Sequence, residues 1–288
     1  SIMAVSTVLL VAALLSTATA DFSPSFRAFI QTTYGSATLN ALARTDLGAA
    51  GSYGGGLHDG LSPTTRTPVI LVHGTTNSAG TFAPQAAYFR ANGWSEETVY
   101  ATTYGDAGVT TATNVKMLCE YVQQIRNMII AVNAFTQQKV NVIGYSMGSP
   151  IARKAILGGK CAENTVQLGA PLTSIIETYI SVAGANRGTS LCDILFAPLV
   201  VPTCNTKNGL KCSSDFLTDI RSVSAYEGQY IFSIYGPSDD KVGFNTVCGR
   251  VSRIDGATAE KDNVPGNHDA IIANTVGATA DLLTNHAF

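Results

Sequence analysis

Charge is scarce in this chain. Only 13% of its 288 residues are charged, 18 Lys and Arg against 20 Asp and Glu. No block of basic residues could follow a phosphate backbone, which excludes nucleic acid as a partner. Long apolar runs are also missing. The run VLLVAALL at residues 8–15 is too short to span a bilayer and has the length of a signal-peptide core, and Ala18-Thr19-Ala20 supplies a small-residue cleavage pattern. Residues 1–20 are therefore expected to be a signal peptide, with the mature protein, residues 21–288, starting near Asp21 and secreted to the extracellular space. The chain does not open on Met and has no basic leader, so it reads as beginning a few residues into its precursor. No transmembrane anchor is expected. Asn-x-Ser/Thr acceptors, internal repeats and low-complexity tracts are absent as well.

Cysteine is present in an even number. Six residues, Cys119, Cys161, Cys192, Cys204, Cys212 and Cys248, in an exported chain point to three disulfides rather than free thiols or a metal site. Fifteen pairings are possible on that count, and spacing does not choose among them.

The length is enough for one large α/β domain or two small ones, and a hydrophobic content of 45% allows a sizeable core. After an amphipathic stretch, Ser25 to Tyr34, and a Gly-rich connection from Gly48 to Gly60, apolar patterns alternate in type. Val69–Val72 and Thr98–Thr103 read as strands, and Phe82–Asn92 and Thr113–Phe135 as helices, the latter with Leu118, Val122, Ile125, Ile129 and Val132 in helical period. Further strands are expected at Thr178–Val182, Tyr230–Tyr235 and Arg250–Ile254, and a closing helix at Asp269–Leu283. Such alternation means a mostly parallel sheet flanked by helices.

Gly144-Tyr145-Ser146-Met147-Gly148 sits where the extended run Val140–Ile143 gives way to the helical run Pro150–Leu157. This is the pattern of a nucleophile elbow. The serine stands on a strained strand-to-helix turn, and the positions two before and two after it must be small so that strand and helix can pass. The pentapeptide alone recurs by chance in a glycine-rich chain, so its flanks and its partners carry the case.

A serine hydroxyl needs a base, and the base needs a carboxylate. Of the four histidines, His58 and His73 precede the serine and His286 lies near the C-terminus. His268, in the turn-rich stretch Val264-Pro265-Gly266-Asn267-His268-Asp269, falls between the last strand and the last helix, where a base can reach the carboxyl edge of the sheet. The alternative is a loop histidine that hydrogen-bonds the backbone, with Asp269 merely capping the closing helix. The acid is expected after the strand Tyr230–Tyr235, at Asp239 or Asp240. Asp255 follows the strand that already leads to His268, and Asp193, Asp215 and Asp219 read as solvated or capping carboxylates. Chain order Ser, Asp, His is that of the α/β-hydrolase fold. An oxyanion hole requires two converging N–H groups. Met147, after the serine, supplies one, and Thr75, in the loop that follows Val69–Val72, the second. His73 is then structural.

The chain resembles the class 2 lipases, the secreted family related to the minimal bacterial lipases and abundant in nematodes. The resemblance runs from Pro68-Val69-Ile70-Leu71-Val72-His73-Gly74-Thr75-Thr76 through the elbow, Ala183-Gly184-Ala185-Asn186-Arg187-Gly188 and Ser233-Ile234-Tyr235-Gly236-Pro237-Ser238-Asp239 to Pro265-Gly266-Asn267-His268. It implies Ser146 as nucleophile, Asp239 rather than Asp240 as acid, His268 as base, Thr75 and Met147 as oxyanion donors, and lipid esters as substrates, met at a lipid–water interface. No cofactor or metal is required. The bacterial relatives lack the longer stretch 187–225, with its Cys192, Cys204 and Cys212, which is expected to form a cap-like insertion near the site. Its apolar residues Leu191, Ile194, Leu195, Phe196, Leu199, Val200 and Val201 either pack onto the domain or face the pocket or a lipid surface. Two other functions fit the same residues. A lipid acyltransferase would replace water by a second alcohol, and a non-catalytic lipid-binding domain would keep the fold without the reaction. Product analysis with and without added alcohol, and a fluorophosphonate adduct, separate them.

Overall fold

The computed structural model describes residues 21–288; the expected signal peptide lies outside the described residues. Seven strands form one sheet in the order β1-β3-β2-β4-β5-β6-β9. They are β1 (Ser52–Tyr53), β2 (Val69–Val72), β3 (Val99–Thr102), β4 (Val140–Tyr145), β5 (Ile176–Val182), β6 (Tyr230–Ile234) and β9 (Ala259–Lys261). All neighbours are parallel except β1, which pairs antiparallel with β3. A separate two-stranded ribbon, β7 (Asn245–Thr246) with β8 (Gly249–Arg250), lies outside the sheet.

The central strands are apolar at successive positions because helices cover both faces. Ile70, Val72, Val140 and Val142 point into a core shared with α1 (Pro24–Ala43), α3 (Cys119–Thr136) and α4 (Gly148–Leu157). Val69, Leu71, Ile143 and Tyr145 point the other way, toward α2 (Ala83–Ala91), α7 (His268–Asn274) and α8 (Val276–Asn285). Val122, Ile125, Ile129, Val132 and Phe135 of α3 recur at three- and four-residue spacing and are buried. Among the described residues no helix is long and apolar enough to cross a membrane.

Several boundaries differ from the sequence reading. The first helix is longer, running from the Ser23 cap to Ala43 with a break at Gly35, where φ is +84°. The Gly-rich connection contributes an edge strand, β1. Helix α3 starts at Cys119, not near Thr113. The backbone of the preceding segment bonds elsewhere: the Thr113 carbonyl accepts from Thr203 N–H, and Met117 N–H donates to Asn208. Of the strand expected at Arg250–Ile254 only Arg250 is extended, at the end of β8; the chain turns after it, with Val251 and Ile254 buried. The strand that leads to His268 is β9 instead. Its sequence, Ala-Glu-Lys, carries no apolar signal because it lies at the sheet edge. The closing helix is two helices, split at Thr275.

Residues 187–225, expected to be an insertion, contain two short helices, α5 (Ala197–Val200) and α6 (Asp215–Asp219). Disulfides join Cys192 to Cys204 within this stretch, Cys212 to Cys248 of the β7–β8 turn, and Cys119 to Cys161 across α3 and the loop after α4. Just after the stretch, Glu227 meets Arg153 of α4 at 2.8 Å with both side chains buried, and Arg153 Nη2 also donates to the Ile220 carbonyl. Removing one partner of so buried a pair leaves an uncompensated charge. Glu227→Gln is expected to lower stability by about 3–5 kcal/mol in urea unfolding. A loss below about 1 kcal/mol would mean that water reaches this pair.

Candidate active site

Ser146 stands at the carboxyl end of β4 with φ +55°, in the left-handed region that costs a side-chain-bearing residue energy. The crossing of strand and helix explains the glycines. A Cβ at Gly148 would lie 2.1 Å from the His73 carbonyl oxygen, and one at Gly144 would lie 2.6 Å from the Ser149 Cα. Gly74 is as tightly placed: a Cβ there would meet the Ser146 Cβ at 2.7 Å. The β2 loop therefore runs against the serine itself. Neither Thr75 nor Met147 donates its backbone N–H to a partner among the described residues, and Thr75, Ser146 and His268 line one cavity of about 310 Å³.

The turn is braced from below. Ser146 N–H donates to Val182 and its carbonyl accepts from Ala185 N–H. Ser149 Oγ lies 2.8–2.9 Å from the Tyr179 hydroxyl, Ser181 Oγ and Asn186 Oδ1, all buried. Asn186 in turn donates to the Ser252 carbonyl. The stretch Ala183–Gly188 thus acts as the floor of the elbow, and a Cβ at Gly184 would strike Ser181 Oγ.

His268 begins α7, whose Asn267 cap accepts from Ala270 N–H. The cap is thus Asn267, not Asp269. The His268 imidazole is buried, and its Nδ1 lies 2.7 Å from Asp239 Oδ2. Asp239 Oδ1 accepts from the N–H groups of Lys241 and Val242, so the carboxylate is fully engaged and fixes the tautomer with Nε2 as the basic nitrogen. Asp240 is exposed and accepts from the His268 backbone N–H at 3.1 Å. The two adjacent carboxylates therefore hold the same residue, one by its ring and one by its main chain. Asp255 is away from this group, paired with Arg187 at 2.6 Å. Asp193, Asp215 and Asp219 pair with Lys211, Lys207 and Lys154.

The remaining histidines sit elsewhere. His58 meets the Phe135 carbonyl, and His286 stacks on Tyr230. His73 is buried beneath the β2 loop; its Nδ1–H donates to Gly74 O, its Nε2 accepts from Tyr104 N–H, and its ring stacks on Tyr104. Burial pushes this imidazole down from its ordinary value near 6.5 to about 4. The folded protein therefore binds fewer protons than the unfolded chain between these values. The neutral ring's contribution is complete above about 6.5 and is lost as pH falls toward about 4, up to about 3 kcal/mol. Unfolding measured across this window should show His73→Gln with a shallower loss of stability on acidification than the wild type, and equal slopes would deny His73 this role.

Three residues without an expected part in the site form a second network. Asp269 accepts from the Tyr145 hydroxyl at 2.9 Å and from Lys241 Nζ at 2.7 Å, and the Tyr145 ring packs on His268 with centroids 4.9 Å apart. Hydrogen bonding to Lys241 holds the Asp269 carboxyl below the usual range, and burial pushes the Tyr145 hydroxyl well up, so it stays a donor. Each member is a near neighbour in sequence of Ser146, Asp239 or His268, which was the only signal available beforehand. Losing this clasp is expected to lower kcat about tenfold in Asp269→Ala, with KM changed by less than about twofold, the size of one charge-assisted hydrogen bond. Unchanged steady-state kinetics would leave the clasp without a part in the reaction.

The sheet order, the elbow at the end of β4 and the helices on both faces are those of an α/β-hydrolase. The chain belongs to the class 2 lipase family, whose family model, Lipase (class 2), matches residues 66–280. Solved structures share the fold at low identity. Aspergillus fumigatus lipase B aligns with a TM-score of 0.58 and 17% identity over 82% of this chain and 56% of its own, so this chain spans little more than half of that protein. The mature Bacillus licheniformis lipase BlEst2 aligns at 0.56 and 15% identity over 81% and 98%. A Paleococcus ferrophilus monoacylglycerol lipase aligns at 0.51 and 13% identity over 82% and 98%. The matching family model describes lipases, as the names of these three solved structures also do.

Proposed function

We propose that the protein is a secreted enzyme of the nematode-type branch that its sequence resembles, cleaving lipid esters, acylglycerols foremost, at a lipid–water interface through an acyl-enzyme on Ser146. The observation that carries this reading is the pairing of His268 Nδ1 with Asp239 at 2.7 Å, on the wall of the cavity that also receives the strained Ser146. His268 Nε2 takes the serine proton as Oγ attacks the ester carbonyl. The tetrahedral oxyanion is held by the Met147 and Thr75 N–H groups, with the N-terminus of α4 adding its dipole. The imidazolium, stabilised by Asp239, then gives its proton to the leaving alcohol. A water repeats the sequence on the acyl-enzyme. Secretion is supported by three disulfides, which form and persist in oxidising compartments.

Treatment of the mature protein with a fluorophosphonate should give one adduct, on Ser146. A folded protein that never reacts, or labels elsewhere, would end this reading. The acid is tested separately. Asp239→Asn should lose about 10⁴ in rate, as for an orienting carboxylate. Asp240→Asn, whose amide oxygen can still accept from the His268 backbone N–H so that only the charge is lost, should lose less than about tenfold. The reverse order would move the acid by one residue.

A further inference from the structure

Among the described residues, the stretch beside the cavity carries the densest run of exposed apolar side chains. Ile194, Leu195, Phe196, Leu199 and Val200 are 60–81% exposed, and Val247, whose N–H bonds Asp193, is exposed beside them. Leu191 continues the patch into the cavity wall. Five large apolar residues within seven positions, wet and next to a pocket, mark a contact surface.

Two features say what it contacts. The first is charge: from Ile194 to Thr206 no residue is charged. The flanking Asp193 pairs with Lys211, Lys207 with Asp215, and Lys241 on the cavity wall with Asp269. A surface so neutralised has nothing to offer an acidic or basic partner. The second is anchorage. The Cys192–Cys204 disulfide closes the segment at its base. Backbone bonds from Ser190 to Val242, Thr203 to Thr113 and Thr189 to Leu210 fasten that base to the loops that surround the cavity. Phe196 is turned outward on a left-handed backbone, φ +70°.

We propose that residues 194–200 are a fixed docking tip that enters uncharged lipid surfaces and sets the cavity mouth against them, rather than a lid that swings off the site. This rests on the reading of the cavity as a lipid esterase site. Hydrophobic burial drives the contact, so the negative surface potential of anionic lipid adds little and salt does not release it.

The test uses the full mature protein and vesicles of diether phosphatidylcholine, which has no carboxylic ester to cleave. Ser146→Ala and wild type should both float with these vesicles, equally well when an anionic diether lipid is included, and without release at high salt. The variant Leu195→Asp/Leu199→Asp should bind about tenfold or more weakly, since two apolar side chains lose their burial. It should still label with fluorophosphonate and hydrolyse a dissolved butyrate ester within about twofold of wild type. Binding only to anionic vesicles, release by salt, or equal binding by the double variant would overturn the docking tip. So would a protein dimer in solution that the same substitutions disperse, which would make the patch a self-association face. Adding the vesicles to wild type should leave the rate on dissolved butyrate ester within about twofold, whereas a large stimulation would mean a moving lid and overturn the fixed tip. Failure of docking with Ser146 still labelled leaves the esterase reading standing, and loss of labelling with docking intact removes only that reading.

Discussion

The rest of this molecule is arranged around one steric fact, the close passage of the β2 loop, the β4 terminus and helix α4 around Ser146. The three segments approach so closely that Gly74, Gly144 and Gly148 have no room for a Cβ, and the carbonyls of Val72 and His73 press on the first turn of α4. That contact drives Ser146 into the left-handed region. The energy is recovered in the packing of the sheet on both sides and in the buried hydrogen bonds of Ser149, Tyr179, Ser181 and Asn186. A looser core would relax the turn, since backbone strain persists only where the surroundings over-determine it.

Around this fixed point, the other parts of the site are held by pairs of interactions of different kinds. His268 is gripped at its ring by Asp239 and Tyr145 and at its main chain by Asp240. The β2 loop is held by the buried His73, whose two nitrogens tie Gly74 and Tyr104 together. An uncharged imidazole suits this place because it offers one donor and one acceptor to two backbone groups and brings no charge below the candidate oxyanion donors.

What could be read in the sequence follows from how strongly local residues report their surroundings. Strands β2 and β4 were legible because both faces are covered, which leaves continuous apolar runs. The elbow was legible because its crossing demands glycine at fixed offsets. Strand β9 was not, since an edge strand of Ala, Glu and Lys has no buried face to announce it, and Val251 with Ile254 mimicked a strand by being buried in a turn. The start of α3 was misplaced because the preceding residues give their hydrogen bonds to the stretch 187–225, a contact between segments far apart in the chain. For the same reason neither the disulfide pairing nor the Lys241–Asp269–Tyr145 network could be seen. Of the candidate site, Ser146, His268 and the adjacent pair Asp239 and Asp240 were legible because each follows a strand of a parallel sheet, and strand ends gather at one edge; the choice of Asp239 over Asp240 came from the family resemblance.

The two edges of the sheet carry a further consequence. An open parallel sheet ends in unpaired N–H and C=O groups that can recruit another chain. Here one border is β1, two residues long and flanked by glycine, and the other is β9, three residues long with Glu260 and Lys261. Neither offers a template of useful length, and the second adds charges that resist intermolecular β-pairing. Such borders keep neighbouring copies from zipping together, so the protein is suited to conditions in which many molecules crowd side by side.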